Sequence, residues 1–134
     1  MNTLPKSLII LGGGVDGLEY ASAFGKLGVE TTVVEMATRL LPMVDRELVN
    51  HLLGALQEVG VRLRIGAKAE SLAKDQNGVV LTYQRSDGQK GVATGERVLV
   101  SIGRKPDLEG LSLEKAGVKA SPRGIIANNK LQTS

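Results

Sequence analysis

Residues 7–35 read SLIILGGGVDGLEYASAFGKLGVETTVVE, and the fold class follows from the order of elements in them. Residues 8–11 form an apolar run that stops at Gly12, Gly13 and Gly14, the pattern of a buried strand ending in a tight turn. A helix is expected over 15–27, where Gly17, Ala21, Phe24 and Gly28 recur at helical spacing and set small residues against a sheet. Gly28 closes it. Thr31, Thr32, Val33 and Val34 are β-branched and lead into Glu35, completing a strand, helix, strand unit of the length that a parallel crossover requires.

Beyond this unit, MATRLLPMVD (36–45) leads to a second helix with Asp45 as its N-cap, and Leu48, Leu52, Leu53 and Leu56 repeat at helical intervals up to Gly60. VRLRI (61–65) alternates as a strand. AESLAK (69–74), GVVLTYQ (78–84) and KGVAT (90–94) follow, separated by turns at Gln76-Asn77-Gly78 and Ser86-Asp87-Gly88, which makes an antiparallel meander. RVLVSIG (97–103) reads as another buried strand, GLSLEKAG (110–117) as a short helix and GIIAN (124–128) as a final strand. The expected fold is α/β: a Rossmann-like parallel sheet with flanking helices, carrying an antiparallel three-stranded β-meander as a flap. At 134 residues the chain fits a single domain.

Composition narrows the chemistry. Apolar residues make up 42% but aromatics only 2%, so the core must be built from Leu, Val, Ile and Ala. The 17 basic and 14 acidic residues leave a net charge of +3, with a pI of about 9.3. These basic residues are scattered, apart from Arg62 and Arg64 in one strand, and no aromatics are interleaved to stack bases, so a nucleic-acid partner is not expected. The absence of cysteine excludes disulfides, thiolate metal sites and thiol catalysis, and the lone His51 cannot assemble a metal site. Neither a metal nor a catalytic residue is expected. SLIILGGGV (7–15) is too short to span a membrane and lacks a cleavage pattern, so the expected setting is cytoplasmic with no membrane partner.

Gly12, Gly14 and Gly17 spell G-x-G-x-x-G, a weak signal in a chain with 17 glycines. Its position between a strand and a helix strengthens it, as does Glu35, 18 residues beyond Gly17 at the end of the next strand. Gly12 permits the turn, Gly14 lets a pyrophosphate approach the backbone, and Gly17 lets helix and strand pack closely. The helix N-terminus adds unpaired N–H groups and partial positive charge. Glu35 would accept hydrogen bonds from adenosine ribose hydroxyls. The plainer reading is a glycine turn and a strand-end acid without a ligand. The fingerprint by itself does not separate NAD from FAD, since both carry the adenosine diphosphate half.

LPKSLIILGGGVDGLEYASAFGKLGVETTVVE (4–35), the meander and VLVSIGRKPDLEGLSLEKAGV (98–118) together resemble the central domain of the pyridine nucleotide-disulfide oxidoreductases, over essentially the whole chain. The tail SPRGIIANNKLQTS (121–134), and Val15 where glutathione reductases carry a bulky aromatic gate, are most similar to the dihydrolipoamide dehydrogenase branch. The resemblance implies that Gly12, Gly13, Gly14, Val15, Asp16, Gly17, Leu18 and Glu19 line the NAD(H) pyrophosphate and nicotinamide ribose, with Glu35 at the adenosine ribose. It also implies that the Ala69 backbone meets the adenine and that Gly103, in a signature shared with Arg104 and Pro106, lies beside the nicotinamide end.

Glu19 matches an acid that, in the family, pairs with a lysine of the FAD domain near the nicotinamide; in any helix it would also complement the dipole. Asp16 departs from the family, which usually places Ile there. A carboxylate at that point favours the helix but partly neutralises the field a pyrophosphate needs. In the family NADH reduces FAD, which reduces a Cys pair, with a His and a Glu from the partner subunit of a homodimer handling protons. Those parts, the FAD domain and the interface domain are not in this sequence. The chain is therefore expected to be an NAD(H)-binding domain (1–134) dissected from a larger flavoprotein, binding no FAD and inactive alone. Alternatives are the same domain of an NADH oxidase, mercuric reductase or other disulfide reductase, and a stand-alone nucleotide-sensing module.

Overall fold

Alternation along the first strand sets the layers of this protein, which a computed structural model describes over residues 3–134. Strand β1 (Ser7–Leu11) buries Leu8 and Ile10 on one face and Ile9 on the other, since successive strand side chains point to opposite sides. It pairs in parallel with β2 (Glu30–Glu35) on one side and β7 (Arg97–Val100) on the other, and β3 (Arg62–Ile65) extends the sheet beyond β2. The order is β3-β2-β1-β7.

Helices α1 (Val15–Lys26) and α2 (Arg46–Glu58) cover one face of the sheet. There Leu8, Ile10 and Val33 meet Leu18 and Ala21 of α1 and Val49 and Leu56 of α2. The other face is covered by β4 (Ala67–Asp75), β5 (Gly78–Arg85) and β6 (Lys90–Gly95), paired antiparallel in the order β4-β5-β6. Ile9 and Val34 pack there against Ala67, Leu81, Tyr83 and Ala93. The meander expected as a flap is thus a full second layer. Gly91 leaves room for it to close, because a Cβ there would lie within 2.6 Å of the buried Tyr83 ring and hydroxyl.

Both helices form where expected, but their buried faces differ in detail. In α1 the buried set is Gly17, Leu18, Ala21 and Gly25. Gly25 takes the place assigned to Gly28, because a Cβ there would come 3.0 Å from both Val59 and Val61. Gly28 lies past the helix end with φ +80° and is exposed, which is the left-handed closure expected of it. In α2 the Asp45 carboxylate accepts from the Glu47 N–H at 2.8 Å, but Leu48 is 63% exposed and Val49 takes the core position.

The apolar run over 97–103 predicts a buried strand, yet Val100 of β7 is 59% exposed. The reason is topological: β7 has β1 as its one neighbour in the sheet and forms an edge.

The chain divides into two units, one ending at Ile102 and the other Gly103–Ser134. Within the second unit the expected short helix is a single 3-10 turn (Leu113–Ala116), because Ser112 and Gly117 on either side both adopt left-handed backbone. The expected final strand contributes Gly124–Ile125 (β9), paired antiparallel with Ala120–Ser121 (β8).

Candidate functional site

The C-terminal end of β1 delivers the chain into the glycine loop. Gly12 has φ +103°, and a Cβ there would collide with the Ser101 carbonyl. So Gly12 is required twice over, by backbone conformation and by the passage of the chain leaving β7. Its N–H donates to the Val34 carbonyl at 2.9 Å, and the Ser101 N–H donates to Leu11 at 2.7 Å, which tie the loop to the strands on both sides. A Cβ on Gly17 would collide with the Gly12 carbonyl, so the close approach expected of Gly17 is real and is made against the loop itself.

Gly14 is the N-cap of α1, with extended backbone and no side-chain cap. A Cβ at Gly14 would meet nothing within 4 Å. The first turn of α1 is therefore an exposed helix end, with its N–H groups and partial positive charge directed outward. Gly14, Val15, Asp16 and Glu19 are exposed around it, and Val15 is 58% exposed. Leu18, grouped with them from the sequence, instead points into the core at 3% exposure, leaving only its backbone for any ligand.

Glu35 ends β2 beside this loop, and its carboxylate is held at both oxygens. The Gly13 N–H donates to Oε2 and the Ala37 N–H donates to Oε1, each at 2.6 Å. The sequence showed a strand-end acid but not this bracing, which joins residues 22 apart in the chain. Two ion pairs occur among the described residues, Arg62 with Glu30 and Lys90 with Glu70; neither includes Asp16, Glu19 or Glu35.

Arg39, four residues past Glu35, donates to the Val44 carbonyl at 2.6 Å and so braces its own loop. The Gly66 N–H donates to the Ala37 carbonyl at 2.9 Å, which brings the start of β4 to the loop that follows Glu35. Ala69 lies three residues further along β4, exposed, opposite Tyr83 and at a bulge in the ladder. Gly103 falls in the second unit, with φ +133°. His51 is exposed on α2, and among the described residues no cluster of His, Cys, Asp or Glu could hold a metal ion.

A parallel sheet whose first strand feeds a glycine turn and an uncapped helix, with a braced acid at the end of the second strand, defines a Rossmann-like α/β domain. Residues 1–134 match the pyridine nucleotide-disulphide oxidoreductase family, and the chain belongs to it. Among curated relatives it is 41% identical over 133 residues to a dihydrolipoyl dehydrogenase from Thermus scotoductus, covering 98% of this chain and 29% of that protein. It is 40% identical to a dihydrolipoyl dehydrogenase from Bacillus subtilis, with 100% and 29% covered. Among solved structures, the HOCl-induced flavoprotein disulfide reductase RclA from Escherichia coli superimposes with a TM-score of 0.84 at 30% identity, over 100% of this chain and 30% of that one. The chain thus spans under a third of the length of the relatives it matches.

Proposed function

We propose that this chain is the NAD(H)-binding domain of a dihydrolipoyl dehydrogenase-like flavoprotein. One observation carries the reading: an uncapped, open helix end and a carboxylate held beside it by the same loop. The exposed face of Gly14, where a Cβ would meet nothing, fits close approach of a pyrophosphate to the backbone.

In this reading residues 12–19 hold the pyrophosphate and nicotinamide ribose, Glu35 the adenosine ribose, the Ala69 backbone the adenine and Gly103 the nicotinamide end. Each Glu35 oxygen takes one backbone N–H and keeps a second lone pair for a ribose hydroxyl. When bound, the reduced nicotinamide supplies hydride to the flavin of the longer protein. What this chain does is bind, orient and exclude the wrong nucleotide; proton handling and disulfide chemistry belong to the FAD and interface domains of a cytoplasmic homodimer. No helix among the described residues is long and apolar enough to cross a membrane.

The expected preference is NAD(H) over NADP(H). A 2′-phosphate about 4 Å from the Glu35 carboxylate costs on the order of 4 kcal/mol at an effective dielectric near 20, before salt screening. Arg39, engaged with Val44, is not directed by that bond toward a phosphate. Calorimetric titration of the purified chain with NADH and NADPH tests this, and equal or tighter binding of NADPH overturns it.

A further inference from the structure

Gly13 stands at an unspecified position of the fingerprint, and its backbone is not in the left-handed region. Neither the motif nor the conformation explains why it is glycine. The surrounding side chains do. A Cβ at residue 13 would collide with Cδ2 of Leu40 and come within 3.1 and 3.2 Å of Cβ and Cγ of Glu35. Leu40 is 2% exposed and belongs to the helix-side core with Ile10, Leu18 and Val33.

Leu40 lies in the loop after β2, and that loop is built to deliver it. Its backbone is pinned by Ala37 N–H to Glu35 at 2.6 Å, by Arg39 to the Val44 carbonyl at 2.6 Å and by Val44 N–H to the Leu41 carbonyl at 2.9 Å. Leu41 takes φ +44°, a left-handed conformation that is costly for a leucine. The left-handed turn accompanies two successive leucines that both pack on one core, Leu41 being partly buried against the cluster that holds Leu40.

We propose that Leu40 is a positioning residue for the pyrophosphate loop, size-matched to Gly13. Its side chain is the floor that, with the stem of Glu35, sets the height of the Gly13 peptide and so the direction of the amides that follow. The loop after β2 thereby acts on pyrophosphate affinity as well as on the ribose. The ligand comes from the NAD(H) reading above; the pairing itself rests on geometry independent of any ligand.

The test is a double-mutant cycle on the purified chain with Gly13→Ala, Leu40→Ala and the two combined, read by melting temperature without ligand and by NADH titration. Gly13→Ala is expected to melt at least about 5 °C lower and to bind NADH about tenfold or more weakly. Adding Leu40→Ala makes room for the new methyl, so the double variant should bind NADH more tightly than Gly13→Ala alone. Combining Gly13→Ala with Leu56→Ala, a core truncation on α2, should give no such recovery. If the losses in the 13–40 cycle simply multiply, or if coupling appears in melting but not in NADH affinity, the positioning role is wrong. Leu40→Val gives the same signs at smaller size should Leu40→Ala not fold. If the unmodified chain binds no NADH, the proposed function fails and the positioning role is overturned with it, whereas coupling in the melting cycle then shows only that Leu40 and Gly13 are matched in size.

Discussion

Replacing Glu35 by Gln tests whether this side chain is an architectural brace, apart from the ribose contact proposed for it. Both carboxylate oxygens accept backbone N–H groups at 2.6 Å, one from Gly13 and one from Ala37. Gln offers one acceptor oxygen and one NH2 group, so whichever way the amide turns, an N–H donor faces another donor. A hydrogen bond to a charged group contributes about 1.5–3 kcal/mol, and an unsatisfied donor adds a penalty that partial exposure to water softens. A net loss of about 2 kcal/mol is expected, which for a domain of this size lowers the melting temperature by about 6–10 °C. The assay is a thermal melt followed by circular dichroism in the absence of nucleotide, with Glu35→Asp alongside, whose shorter side chain cannot span both amides. A residue serving only a ligand would behave oppositely, because removing such groups often stabilises the free protein. A Glu35→Gln variant melting within about 1 °C of the parent would refute the bracing.

Two further outcomes follow from the same geometry. Asp16→Ile is expected to bind NADH about ten- to a hundredfold more tightly at low salt, since a carboxylate about 6 Å from the pyrophosphate costs on the order of 2–3 kcal/mol at an effective dielectric of about 20 before residual salt screening lowers it. The same change should slightly lower the melting temperature by removing a first-turn acid worth about 0.3–1 kcal/mol; unchanged affinity in a folded variant means the carboxylate points away from the ligand. Gly17→Ala drives a methyl into the Gly12 carbonyl, so urea unfolding should show a loss of about 2–3 kcal/mol or more with NADH binding abolished, and a variant of parental stability would show that helix and loop separate freely.

Local patterns are legible in the sequence because their causes are local. The run 8–11, the glycines behind it and the β-branched run into Glu35 give β1, α1 and β2 within a residue or so at each end. Asp45 caps α2 as its type and place require. The turns at Gln76-Asn77-Gly78 and Ser86-Asp87-Gly88 separate three strands as written, with Gly78 at φ +141° and Gly88 at φ +84°. Burial that depends on a neighbour distant in sequence is not legible in this way. Leu48 and Val49 are equally apolar at adjacent positions, and only the direction in which α2 lies on the sheet decides which is inside. Val100 continues an apolar run but sits on an edge strand.

Residue order alone was enough for the strand, glycine turn, helix and strand unit and for the family resemblance. Spacing and residue type are enough for these, since a helix end, a glycine and a strand-end acid each act through nearby backbone. The burial of the Leu18 side chain, the bond from Gly13 to Glu35 and the place of Leu40 under Gly13 come from the packed fold, while the second bond on Glu35, from Ala37, is local to its loop. The Gly13 bond to Glu35 and the approach of Leu40 to Gly13 join segments that meet only when β1 and β2 align in register, and contact across a parallel crossover leaves no periodic trace in the chain that makes it.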